Sequence, residues 1–108
     1  MKIIISPGFG GGWSTWCSAK NKEDERKILT WKPMIEALER GEKLNNEHPA
    51  FLSLKEAVAP ETYLVECTFD QLVVEEVEDG LRFRVDEYDG YESVEYADCD
   101  SFMDTWEC

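Results

Sequence analysis

Two stretches of the chain carry residues whose types and spacing could do chemistry. The first is Ser6-Pro7-Gly8-Phe9-Gly10-Gly11-Gly12-Trp13-Ser14-Thr15-Trp16. Glycines bare the backbone N–H groups, and a glycine-rich loop after a strand is a common way to cradle phosphate. The match to known phosphate loops fails in detail. In the dinucleotide pattern the third glycine falls at Trp13, and the triphosphate pattern needs a lysine that does not come until Lys20. Two readings remain. Gly8, Gly10, Gly11 and Gly12 could form a small-ligand loop, with Trp13 and Trp16 stacking on a nucleotide base. Alternatively the loop is a tight connection and the tryptophans plug the core.

The second stretch is acidic. Eleven Asp and Glu residues fall between Glu75 and Asp100. Residues 61–108 hold 16 acidic and 2 basic side chains, a balance of −14, whereas residues 1–60 stand at +1. A solvated face that protects sheet edges is one explanation. Charge this concentrated also destabilises a compact state through self-repulsion. That cost favours a surface imitating the phosphate rows of a duplex and presented to a protein with a basic groove. The candidate partner-binding residues are Glu75, Glu76, Asp86, Glu87, Tyr88, Asp89, Tyr91, Glu92 and Glu95, with Tyr88, Tyr91 and Tyr96 as aromatic anchors.

Composition narrows the classes further. The chain has 108 residues, is 43% hydrophobic and carries a formal charge of −13, which fits one domain spanning 1–108 with a real core. Phosphate affinity rests on Lys and Arg, so the acidic half excludes direct nucleic-acid binding and makes anionic membranes a poor partner. Cys17, Cys67, Cys99 and Cys108 are scattered, with no Cys-x-x-Cys, and His48 is the only histidine. That spacing is wrong for structural zinc, and free thiols in a reducing compartment are expected. Asp98-x-Asp100 and Asp104 resemble a fragment of a calcium loop, without its central glycine or terminal glutamate. No dedicated metal and no cofactor is expected. Ser14 and Thr15 sit in no nucleophile elbow, and His48 before Pro49 reads as a capping residue, so the chain is not read as an enzyme. The opening apolar run is three residues, far short of a signal or membrane segment, which points to the cytoplasm.

The elements that position these residues read as α+β. Lys2–Ser6 is a short strand whose three isoleucines predict burial on both faces. Asn21 could start a helix or lie in a surface loop. Met34–Arg40 is a helix with Pro33 in its first turn and Gly41 as its stop, and Pro33 forbids an unbroken helix from Glu23. A second short helix spans Pro49–Ala59. The period then becomes two, with strands predicted over 62–69, 72–78, 81–88 and 92–96. Asp79-Gly80 and Asp89-Gly90 are hairpin turns, because both central residues of a type I′ turn need positive φ. The result is a short N-terminal strand, two short helices and an antiparallel β-meander. The third of these strands pairs with both the second and the fourth. Phe102, Met103 and Trp106 suggest that the tail docks on the body.

Met1-Lys2-Ile3-Ile4-Ile5 followed by the Ser6–Trp16 loop, together with Phe83-Arg84-Val85-Asp86-Glu87-Tyr88-Asp89-Gly90-Tyr91-Glu92-Ser93, resembles small bacteriophage proteins. These open with a strand, a Ser-Pro-Gly-Phe-Gly loop and Trp-Ser-Thr-Trp, and later carry a Glu-Tyr-Asp-Gly-x-Glu-Ser hairpin. In size and acidity the chain is also similar to anti-CRISPR proteins. The phage resemblance implies a setting in the host bacterial cytoplasm. The analogy with anti-CRISPR proteins, which rests on size and acidity and no shared motif, implies an inhibitor that binds a nucleic-acid-handling defence protein or CRISPR effector. A nucleotide-binding protein using the glycine loop and a virion assembly component are the alternatives.

Overall fold

Three consecutive isoleucines leave a strand with no polar face, and Lys2–Ile5 (β1) is covered on both sides. Ile4 joins Trp13, Ile28, Met34, Phe51 and Leu54 in one apolar cluster. Ile3 and Ile5 join Leu29, Val77 and Phe83 in a second. Each buried isoleucine contributes roughly 1.5–3 kcal/mol, so this short strand is the seam between two cores. The structure, a computed structural model, describes residues 1–8, 11–66, 69–78, 82–97 and 106–107.

The helices lie on the Ile4 side. Lys22–Thr30 (α1) starts where the Asn21 side chain accepts the Asp24 N–H at 2.8 Å, with Glu23, Asp24 and Glu25 in the first turn and Lys27 in the last. The cap and the charge order, both matched to the helix dipole, make this segment a helix rather than a surface loop. Lys32–Glu39 (α2) follows after one extended residue, Trp31. Pro33 forces that break, because its ring would clash with a carbonyl one turn earlier. Gly41, at φ +80°, closes α2. Its N–H donates to the Leu38 carbonyl and that of Glu42 to Ala37, both at 3.0 Å. Pro49–Ala57 (α3) begins at His48, whose Nδ1 accepts the Ala50 N–H at 3.1 Å. Among the described residues α1 and α2 follow one another across the single residue Trp31 as one bent helical run. That run and α3 stand where the sequence predicts two helices, and the start left open at Asn21 is a helix.

Among the described residues the strands divide into two sheets. Val73–Glu76 (β2) pairs antiparallel with β1, setting Ile4 against Val74 and Ile5 against Val73. Arg82–Tyr88 (β3) pairs along its length with Tyr91–Ala97 (β4) and at one end with Trp106–Glu107 (β5). The hairpin at Asp89-Gly90 forms as predicted, with φ of 50° and 87°. Asp79-Gly80 lies outside the described residues. Among the described residues β2 and β3 do not pair, contrary to the meander order predicted for them. β2 serves the isoleucine strand instead, which supplies apolar partners for Val73 and Val74. Of the strand predicted over 62–69, residues 67 and 68 lie outside the described residues; among the rest Tyr63 forms a bridge to Ser18 and Phe69 begins a 3₁₀ turn, Phe69–Gln71. Its neighbourhood is held by side chains: the Asp24 carboxylate accepts from the Ala59 N–H and the Thr62 hydroxyl.

The architecture is α+β in three layers. Helical residues cover the Ile4 face of the β1–β2 ribbon, and the β3–β4 hairpin covers the other through Phe83, Val85 and Val94, joined there by Leu29 of α1. No helix among the described residues is long and apolar enough to cross a membrane.

Candidate functional site

Alternation along β3 sorts the hairpin into two faces. Phe83 is fully buried and Val85 packs beside it, so their face looks inward. The two-residue turn sets Tyr88 opposite Tyr91, and the register then puts Glu87 opposite Glu92 and Val85 opposite Val94 on that inward face. Arg82, Arg84, Asp86 and Tyr88 lie on the outer face with Tyr91, Ser93 and Glu95.

Glu92 is therefore not part of an acidic surface. It is 0% exposed, and its carboxylate accepts from the Ser6 N–H at 2.8 Å, the Thr15 N–H at 3.0 Å and the Thr15 hydroxyl. Its own N–H donates to the Ser6 carbonyl at 2.8 Å. Glu87 makes a second tie: one carboxylate oxygen accepts the Gly90 N–H at 3.0 Å and lies 3.4 Å from the Trp16 indole nitrogen. The glycine loop and the hairpin tip, joined by contacts between residues 71 to 86 positions apart, thus form one unit with Glu92 at its centre.

The candidate ligand loop changes meaning in this setting. Loops of this kind turn backbone N–H groups toward an anion, and here the amides of Ser6 and Thr15 turn toward Glu92. The anion is supplied by the chain itself. Trp13 is 0% exposed, its indole N–H donates to the Ile28 carbonyl at 2.9 Å, and its ring packs near Phe51 and Phe69. No nucleotide base can reach it, so the proposed stacking role is corrected to a core role. Trp16, by contrast, is partly exposed. Gly11 and Gly12 are buried. A Cβ at Gly8 would lie 2.6 Å from the Gln71 side chain, and one at Gly12 would lie 2.6 Å from the Trp16 ring. Those two glycines make room for close packing. Gly10 lies outside the described residues.

The remaining acidic candidates are not gathered on one plane. Glu75 and Glu76 are exposed on β2, where successive residues face opposite sides of the ribbon. On the outer face of the hairpin Arg84 pairs with Glu95 at 2.9 Å and lies 3.8 Å from Asp86, which neutralises the middle of that face. What stays prominent is the tip. Glu87 and Asp89 are exposed there, beside Tyr88 at 75% and Tyr91 at 40% exposure, and Tyr96 further along β4 is 49% exposed.

The other chemically suggestive residues have structural partners. His48 caps α3, and its Nε2 lies 2.9 Å from Glu42. Burial pushes the Cys17 thiol up to about 12, with the Glu92 charge adding to the effect and a bond from the Val65 N–H opposing it, so it stays protonated and unreactive. Among the described residues no group of three or more His, Cys, Asp or Glu side chains is placed to hold a metal ion. Ser6, Thr15 and Gln71 were missed as members of this unit. The burial of Glu92 could have been read from parity, since a two-residue turn at Asp89-Gly90 places it on the same face as Val85 and Phe83. Compared with protein-family models, curated proteins and solved structures, the chain finds no significant match.

Proposed function

We propose that the protein is an acidic binding inhibitor whose β3–β4 hairpin docks into the basic, nucleic-acid-binding groove of a partner protein. One observation carries this reading. The hairpin tip exposes Tyr88 and Tyr91 together with the acids Glu87 and Asp89, on a turn tied to the glycine loop through Glu92. Exposed tyrosines on a rigid turn make good anchors, because few degrees of freedom are lost on binding. The −14 balance of residues 61–108 speeds encounter with a basic groove and excludes nucleic acid itself. Combined with the resemblance to bacteriophage proteins, this points to a host defence protein of the CRISPR effector type, met in the bacterial cytoplasm. The chain performs no chemistry in this reading; it occupies the groove.

Replacing Asp86, Glu87 and Asp89 together by lysine tests the reading. Loss of partner capture from bacterial lysate, with the far-ultraviolet circular dichroism of the parent retained, is the expected result. Capture by the reversed variant as strong as by the parent would overturn it.

A further inference from the structure

The outer edge of β4 is used by neither the hairpin tip nor the core. The turn closes Tyr88 against Tyr91, so the backbone groups of Tyr91, Ser93 and Glu95 bond to β3 and those of Glu92, Val94 and Tyr96 face away. The Glu92 N–H confirms the sense, because it donates outward to the Ser6 carbonyl. Beyond that point the edge is open: among the described residues β4 pairs with β3 alone, and nothing takes the outward groups of Val94 or Tyr96. Bare strand edges of this kind are templates for another strand.

We infer that this edge receives an extended, lysine- or arginine-bearing segment of the partner as an added β-strand. The inference rests on the acidic-hairpin reading and adds how the partner is held. Charge decides the occupant. A second copy would bring another −13 alongside the first, whereas a basic segment meets the net negative half of the chain and lies next to the exposed Tyr96 ring. Main-chain bonds to Val94 and Tyr96 supply affinity, and alternate side chains supply selectivity. Ser6, seated at Glu92, marks where the added strand must stop.

Proline separates the edge from the side chain. At position 96 it removes an outward N–H and leaves the ladder to β3 intact, a placement that edge strands tolerate. The probe is a capped peptide alternating lysine and valine, with a glutamate–valine peptide as control, titrated into the full chain labelled with ¹⁵N. The lysine peptide is expected to slow hydrogen exchange of the Val94 and Tyr96 amides by about tenfold or more, and the glutamate peptide to leave them unchanged. Tyr96→Pro should weaken binding by about tenfold or more, and Tyr96→Ala by less than about threefold. Equal binding of both peptides, unprotected amides at Val94 and Tyr96, or full binding by Tyr96→Pro would each overturn the inference. Should Tyr96→Pro fail to fold, exchange at the two amides of the parent decides. A lysate partner still captured by Tyr96→Pro but lost by the triple lysine variant would leave the hairpin reading standing and remove strand addition alone.

Discussion

The helical half and the hairpin half of this molecule use charge in opposite ways. In the first half acids and bases balance and pair with one another: Lys27 with Glu23, Lys2 with Glu39 and Arg40 with Glu42. Polar side chains there fix the ends of elements, as Asn21 and His48 do, or tie segments together, as Asp24 does. In the second half two arginines stand against sixteen acids. One acid, Glu92, is buried as an internal anion, while Glu75, Glu76, Glu87 and Asp89 face water without a matching base in that half. Exposed tyrosines gather on the same hairpin. Where local charge is balanced the residues account for the fold; where it is not, the fold leaves exposed acids and tyrosines, and the proposed binding role rests on them.

The contrast can be broken at graded cost. Trp13→Ala should empty the aromatic centre of the helical core and destabilise the chain by about 3–5 kcal/mol, read by urea unfolding. Glu92→Ala leaves the Ser6 and Thr15 amides without their acceptor. It should cost about 3 kcal/mol and also loosen the tip, seen as a change in Trp16 fluorescence that Trp13→Ala does not mimic. Glu92→Gln keeps one acceptor oxygen and should cost less than Glu92→Ala, falling between that variant and the parent.

Asp24 sharpens the comparison through pH. Bonds from the Ala59 N–H and then the Thr62 hydroxyl hold its carboxyl below the usual carboxylate range. A lowered folded-state value stabilises the fold fully above the ordinary value of about 3.9, and that contribution is lost as pH falls through the lowered value. Asp24→Asn should therefore be less stable than the parent at neutral pH and converge on it in acid, measured by unfolding at both ends of the range.

Gly41→Ala comes next. An added Cβ at that position meets nothing within 4 Å, so its cost is purely the positive φ, about 1 kcal/mol. Tyr88→Ala has the smallest effect on stability, within about 0.5 kcal/mol, yet should reduce partner capture clearly. A tyrosine whose loss harms binding without harming the fold separates the two halves most cleanly.

These residues also show what could be read in advance. Pro33, Gly41 and the Asp89-Gly90 pair act locally, through fixed or permitted φ, and each punctuates its element where the sequence predicts. Asn21 left helix and loop open because the apolar pattern of α1 is sparse, with Ile28 and Leu29 as its buried apolar residues. The pairing of β2 with β1 was hidden because strand partnership is a long-range choice, decided by which apolar edge most needs cover. Thr62 and its neighbours have strand-like composition, but local composition cannot supply a pairing strand. The site was half legible. Composition located the acidic hairpin and its tyrosines, but grouping Glu92 with the partner-facing acids missed its burial, and Ser6 and Thr15, which donate to it, were not singled out.

The central claim is that the acidic, tyrosine-bearing hairpin binds a basic groove, and a pull-down from bacterial lysate eluted in steps of rising salt tests it most directly. The account predicts a nucleic-acid-binding protein that is released as salt screens the contact and competed off by duplex DNA. Bait that captures nothing at low salt, or a partner indifferent to both salt and DNA, would contradict it.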